Sequence, residues 1–206
     1  MDSRVLGMPL HRTIVAVDVE GSTMLTNPER ALMRERLRSL LEAAFLAGGI
    51  DEEFRDPMID RGDGALCLVR PVDEVPKTVL LTRFVPALAQ ELWRAAEQPR
   101  GEAFRLRVAL HAGDVHYDGH GAYGEDIDFA CRLLDAPVVK RWLKNSPDPL
   151  VLVVSSEIYR TVVRHGYEGI DSGAFGHEVS VRVGGQRMRG RIRGAEPVLP
   201  RTGLSA

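Results

Sequence analysis

Arg12-Thr13-Ile14-Val15-Ala16-Val17-Asp18-Val19-Glu20-Gly21-Ser22-Thr23 is the stretch from which the fold is read. Ile14 to Val17 is apolar without alternation, the pattern of a strand covered on both faces. A buried strand that ends in Asp18 delivers its charge to the sheet edge, where water, a cation or a base can meet it. Gly21-Ser22-Thr23 then opens a helical segment whose first N–H groups lack partners and attract phosphate. A carboxylate next to an anion hole suits a metal-bound polyphosphate. A capped strand–turn–helix with a solvated Asp18 accounts for the same residues, and the stretch alone does not choose between the two.

The 206-residue chain is long enough for one good-sized core and short for two domains. Its 44% hydrophobic and 27% charged residues are the balance of a soluble globular protein. A formal net charge of −2 supplies no basic field for nucleic acid or an acidic membrane. The one basic concentration, Arg182 to Arg193, is broken by Gly, Gln and Met and reads as a solvated strand pair. Cys67 and Cys131 lie in apolar surroundings without disulfide-framework or metal-ligand spacing, which predicts buried thiols in a reducing compartment. No apolar run reaches membrane-spanning length, and Met1 to His11 lacks the apolar block of a signal peptide. The expectation is a cytoplasmic protein that reports to a membrane, if at all, through a protein partner.

Outward from the opening strand, Asn27 as cap and Pro28 at the first helical position enter an amphipathic helix to Ala47, with Met33, Leu37, Leu40, Leu41 and Ala44 on its apolar face and Gly48-Gly49 ending it. Phe54–Ile59 and Ala65–Val69 read as strands joined through Asp60-Arg61-Gly62-Asp63-Gly64, where Asp-Gly signals a hairpin. A helix from about Asp73 to Ala96 should kink or break at Pro86, and Pro99-Arg100-Gly101 is a loop. Phe104–His111 alternates as a half-buried strand. Asp114–Gly124 reads as a hairpin or loop, and Asp126–Leu134 as a helix closed by Ala136-Pro137. Leu150–Val154 is a buried strand, and Ser155 or Ser156 caps the helix carrying Ile158, Tyr159 and Val163. Val179–Val183 and Met188–Ile192 form a last hairpin around Gly184-Gly185, before a loose tail. The organisation is an extension at 1–11, one domain at 12–193 and a tail at 194–206. Helices and strands alternate but hairpins intervene, so a mixed α/β sheet is expected.

Asp63 gains its interest from Asp18. If the second hairpin lies beside the first strand, both carboxylates converge at one end of the sheet, a donor set that suits Mg²⁺ with phosphate oxygens. Taken alone, Asp63 is explained by its turn. Asp128 and Arg132, at i and i+4, share a helix face as a surface ion pair or as a guanidinium reaching for phosphate. His111, His116 and His120 match no zinc spacing and read as one edge-strand and two loop histidines.

The motifs DVEGST at 18–23, RGDGALCLV at 61–69, LRVALHAGDV at 106–115, YGEDIDFACRLLDA at 123–136 and LVLVVSSEI at 150–158 occur in the order of class III nucleotidyl cyclase catalytic domains. The chain resembles that family over roughly residues 12 to 192, as a divergent bacterial member. The resemblance implies an α+β, ferredoxin-like fold: a mixed, mostly antiparallel sheet flanked by helices, working as a head-to-tail homodimer with sites at the interface. It implies that Asp18, Asp63 and the carbonyl of Val19 hold Mg²⁺ or Mn²⁺. Gly21, Ser22 and Thr23 would bind the β- and γ-phosphates, and Arg132, from the partner chain, would serve as the transition-state arginine. The reaction implied is attack of a ribose 3′-hydroxyl on the α-phosphate, releasing pyrophosphate and a 3′,5′-cyclic nucleotide.

Several positions depart from the family. Its ribose-orienting Asn is Asp128 here, and its base-reading positions fall on Ile59 and Gly121, which have no side-chain hydrogen bond to offer. A shift in the alignment before Gly124 would bring Asp118, Asp60 or Met58 to the base. Arg189 stands where a phosphate-binding lysine is expected. Purine preference is therefore unsupported. Pyrimidine triphosphates deserve equal testing, because pyrimidine cyclases of bacterial phage defence also resemble this family while differing at the base-reading positions. The other reading is a degenerate cyclase-homology domain that binds nucleotide and regulates a partner without turnover; a purely structural dimer module is the third.

Overall fold

The computed structural model describes residues 7–97 and 104–194. The expected loop at Pro99–Gly101, the first residues of the N-terminal extension and the tail beyond Gly194 lie outside the described residues. Strand β1 (Leu10–Val19) is buried along its centre, as its unbroken apolar run requires. Val15, Val17 and Val19 face one apolar cluster, built with helices α1 (Asn27–Gly48) and α3 (Val85–Glu97). Ile14 and Ala16 face a second, built with α4 (Glu125–Asp135) and α5 (Pro137–Asn145). Alternate side chains of one strand thus serve two layers.

Around β1 lie β2 (Ile59–Asp60), β3 (Gly64–Val69), β4 (Leu106–Tyr117), β5 (Ala122–Tyr123), β6 (Leu150–Ser155), β7 (His177–Val183) and β8 (Gln186–Ile192). The sheet order is β2-β3-β1-β4-β6-β8-β7, with β5 paired to β4. Among the described residues only β4 and β6 run parallel, and the other strand pairings are antiparallel. The mixed α+β architecture, a mostly antiparallel sheet flanked by helices, is the one expected. Gly184 and Gly185, both at positive φ (53° and 83°), make the β7–β8 turn.

Local readings needed correction. The cap of α1 is Thr26, one residue early, in a capping box with Glu29. The Gly21–Thr23 segment is not the start of that helix but a separate three-residue 3₁₀ turn, Ser22–Met24. Phe54–Ile59 is no strand: Glu52–Phe54 is a 3₁₀ turn, and of that stretch β2 holds only Ile59, with Asp60 after it. At Pro86 the helix neither breaks nor stops. Lacking an N–H, Pro86 cannot make the helical bond to the Thr82 carbonyl, and the backbone just before it is wound as a π turn at Leu80–Phe84, after the short α2 (Lys77–Val79). Pro137, read as a stop, opens α5 instead. Strand β4 is buried on both faces, because α4 and α5 cover the side carrying Arg107 and His111.

Candidate active site

The end of β1 forms the site. Asp18 lies opposite Gly64 of β3 on one side and Arg107 of β4 on the other. A Cβ on Gly64 would sit 2.2 Å from the Val17 carbonyl oxygen, so only glycine lets β3 close on β1 there. That approach puts Asp63, the preceding residue, beside Asp18, and its carbonyl accepts from Val19 N–H at 3.0 Å. The residue of that hairpin needing positive φ is Gly62 (88°), not Gly64.

Asp18, Val19, Gly21, Ser22, Thr23 and Asp63 line one cleft of about 450 Å³. The two carboxylates and the glycine-containing turn are thus brought together as the sequence reading required. Ser22 is buried and its Oγ donates to Asp63 Oδ2 at 2.7 Å. The far wall carries Asp135, paired with Lys140 at 2.9 Å, and Cys131, half-buried. Burial pushes both thiols up, that of Cys67 to about 12.

Arg107 was not among the residues singled out from sequence. It is 8% exposed, lines the cleft, and its Nη2 donates to Asp18. Its Nε is buried without a hydrogen-bond partner. Burial holds its pKa below the ordinary arginine value, offset in part by attraction to Asp135. Its alternation with Arg105 looks like a solvated face; only the β1–β4 register reveals its partner.

Asp128 and Arg132 line an adjoining cavity of about 320 Å³ with Arg182 and Gly184 from the last hairpin. Arg61, Cys131 and Asp135 border both spaces. Among the described residues Asp128 and Arg132 form no ion pair with each other, so the surface-pair account of them does not hold.

The remaining candidates lie elsewhere. Ile59 pairs with Leu66 and packs into the α4/α5-side core, and Gly121 sits exposed in the β4–β5 turn with open space where a side chain would go. Neither is part of the cleft lining. Asp60 accepts from Gly62 N–H at 2.7 Å and pairs with Arg34, and Asp118 accepts from His120 and Gly121 N–H, so both carboxylates are engaged in their own turns. Met58 packs against the α1/α3-side core. Arg189 lies on the outer hairpin, paired with Glu178 at 3.2 Å.

His111 is not an edge residue. It is 4% exposed on a central strand, with Nε2 2.9 Å from Asp126 and Nδ1 2.9 Å from Ser155 Oγ. Ser155 is fully buried and its Oγ also accepts from Ile158 N–H as the cap of α6 (Ser156–Thr161), so the Ser–His–Asp chain is an internal brace rather than a nucleophile. His116 lies on β4, stacked on Tyr123, not in a loop.

Among the described residues no group of three or more His, Cys, Asp or Glu side chains gathers for a metal. Two carboxylates in one cleft, with backbone and hydroxyl oxygens beside them, are nevertheless the donor set Mg²⁺ takes when phosphate and water complete its shell. The residues present fit such an ion.

No protein-family model and no curated protein matches the chain. Solved structures do. A bacterial light-regulated adenylyl cyclase aligns at 12% identity over 93% of each chain, with a TM-score of 0.58. The adenylyl cyclase CyaB of P. aeruginosa aligns at 13% identity over 94% of this chain and 98% of that one, at 0.57. The fold is that of a nucleotide cyclase catalytic domain. An adenylate/guanylate cyclase/hydrolase from Silicibacter pomeroyi shares this cyclase fold at 18% identity over 91% and 98% of the chains, at 0.56. Among the described residues no helix is long and apolar enough to cross a membrane.

Proposed function

We propose that the chain converts a nucleoside triphosphate to a 3′,5′-cyclic nucleotide and pyrophosphate at the Asp18–Asp63 cleft. One observation carries this reading: two carboxylates, one at the end of β1 and one from the β2–β3 turn, share a cleft with a glycine-containing turn and a buried arginine. Asp18, Asp63 and the Val19 carbonyl would hold Mg²⁺ or Mn²⁺. Divalent ions bound there would lower the pKa of the attacking hydroxyl and neutralise the triphosphate. Gly21 to Thr23 approach the β- and γ-phosphates through backbone N–H groups. Arg107, with an unused N–H, takes a phosphate oxygen. The 3′-hydroxyl gives its proton to solvent water and attacks the α-phosphorus as the bond to the bridging oxygen breaks and pyrophosphate leaves.

Arg132 would neutralise charge developing on the α-phosphate in the second protomer of a homodimer. Among the described residues its guanidinium forms no ion pair, and it lies in the space adjoining the Asp18–Asp63 cleft rather than in that cleft, which supports service to another chain. Ile59 and Gly121 offer no side-chain hydrogen bond, so base preference is open to pyrimidines. Incubating the protein with each of the four ribonucleoside triphosphates and Mn²⁺, and measuring pyrophosphate and cyclic product, tests the reading; silence with all four removes it.

Asp128 favours a second reading. Its carboxylate, without an ion pair among the described residues and four positions from Arg132, repels phosphate unless a cation compensates. A domain that binds nucleotide without turnover, and regulates a protein partner, would show tight calorimetric binding and no product.

A further inference from the structure

Asp18 has two claimants. Asp18 and Arg107 face each other across β1 and β4, and the guanidinium reaches the carboxylate through Nη2. The other anionic groups of the cleft are held separately: Asp63 by Ser22 at 2.7 Å and Asp135 by Lys140 at 2.9 Å. Among the described residues Asp18 is therefore the one carboxylate in hydrogen-bond contact with Arg107, and it is also the residue best placed to hold a cation. Arg107 is itself under-satisfied, since its buried Nε–H meets no acceptor. A buried guanidinium with one N–H engaged and a neighbouring N–H orphaned is matched by a two-oxygen anion.

We propose that Arg107 and a divalent cation are alternative counter-ions of Asp18, so that cation and oxyanion enter the cleft as a linked pair. The inference rests on the proposed cation site and concerns what opposes its filling. A cation approaching Asp18 meets a fixed positive charge at short range, where little water screens the repulsion. Displacing Arg107 leaves it buried with only Asp135, already paired with Lys140, to offset its charge, which is costly unless an anion arrives. A phosphate oxyanion alone meets the carboxylates of Asp18 and Asp63. Together the two ligands satisfy every group: the cation takes Asp18, and the phosphate takes Arg107 through Nε and Nη2. Each ligand then raises the affinity for the other by the same factor. Arg107 acts on the cation through Asp18 and is in this respect a positioning residue.

The direction of one effect separates this from a structural role. Removing a buried arginine that only braces the cleft would weaken cation binding; removing a competitor strengthens it. Titration of Mn²⁺ without nucleotide, followed by the loss of the free-ion electron paramagnetic resonance signal, should show Arg107→Gln binding at least tenfold tighter than wild type. The Asp18→Asn, Arg107→Gln double variant should lose that gain. Equal or weaker binding by Arg107→Gln overturns the proposal. If wild type and Arg107→Gln bind Mn²⁺ equally and Asp18→Asn abolishes binding, the cation site stands and only the competition is wrong. If none of the variants binds at millimolar Mn²⁺, the cation site and the competition fall together.

Because Arg107→Gln removes a buried charge, a measurement on the unaltered protein stands beside it. The ¹⁵N resonance of Arg107 Nε should move little with Mg²⁺ alone or with an α,β-methylene triphosphate alone, and move clearly when both are added. A full shift with Mg²⁺ alone overturns the linkage.

Discussion

Ser22 donates its hydroxyl proton to Asp63 at 2.7 Å, joining two turns 41 positions apart. The bond orients Asp63 in the cleft, and because Ser22 is buried no bulk water replaces it. Ser22→Ala should lower stability by about 1.5–3 kcal/mol, the worth of a hydrogen bond to a charged group. Pyrophosphate release should drop by about tenfold or more, equivalent to about 1.4 kcal/mol. Ser22→Thr should recover much of both. Urea unfolding and a pyrophosphate assay check this; wild-type values for Ser22→Ala would mean that Asp63 is oriented by something else.

Gly64→Ala forces a methyl group against the Val17 carbonyl, which is backbone and has no rotamer to yield. The strands must part, at a cost of about 1–3 kcal/mol or more, and Asp63 moves with them. Gly121→Ala meets nothing within 4 Å and should be neutral. Thermal melts of the two variants should differ clearly; similar midpoints would show that β1 and β3 tolerate separation.

Asp126 has its pKa lowered, first by the hydrogen bond to His111, against burial, with help from Asp114 N–H. A carboxylate depressed in the folded state contributes stability above its unfolded value of about 3.9 and loses it as pH falls through the folded value. Asp126→Asn should therefore flatten the loss of stability below about pH 5 while lowering stability near neutrality. Denaturant midpoints taken down the acid range check the slope. An unchanged acid slope would remove Asp126 as a contributor.

If the site is shared between protomers, Arg132→Ala and Asp18→Ala chains are each inactive but complement one another. Equal mixing of a two-fold dimer makes half the dimers hybrid, each with one intact site, so roughly a quarter of wild-type activity should return. Hybrids shown to form by mass spectrometry yet remaining silent would place Arg132 and Asp18 in the same protomer's site.

The two-layer arrangement was legible because Ile14 to Val17 leaves no polar face, and the carboxylate pair because Asp18 closes that apolar run just before the Gly21 turn and Asp63 sits beside the turn glycine Gly62. Arg107 was hidden for the opposite reason. Phe104 to His111 alternates like a half-wet strand, and nothing local says that α4 and α5 cover its polar side. His111 was misplaced with it, since its acceptors, Asp126 and Ser155, arrive from other elements. Helix α5 was lost at Pro137, which ends one helix and starts another with the same lack of an N–H. Gly64 was credited to turn geometry, whereas its reason is a neighbouring strand's carbonyl.

Because β1 feeds alternate side chains to two different layers, its parity matters more than its composition. Deleting one residue between Ile14 and Val17 would keep the strand apolar but swap which layer each later side chain faces. Asp18 would then point into the layer of α1 and α3, away from Arg107 and Asp63. A shift of frame inside that segment therefore misdirects the carboxylate and repacks the interior together.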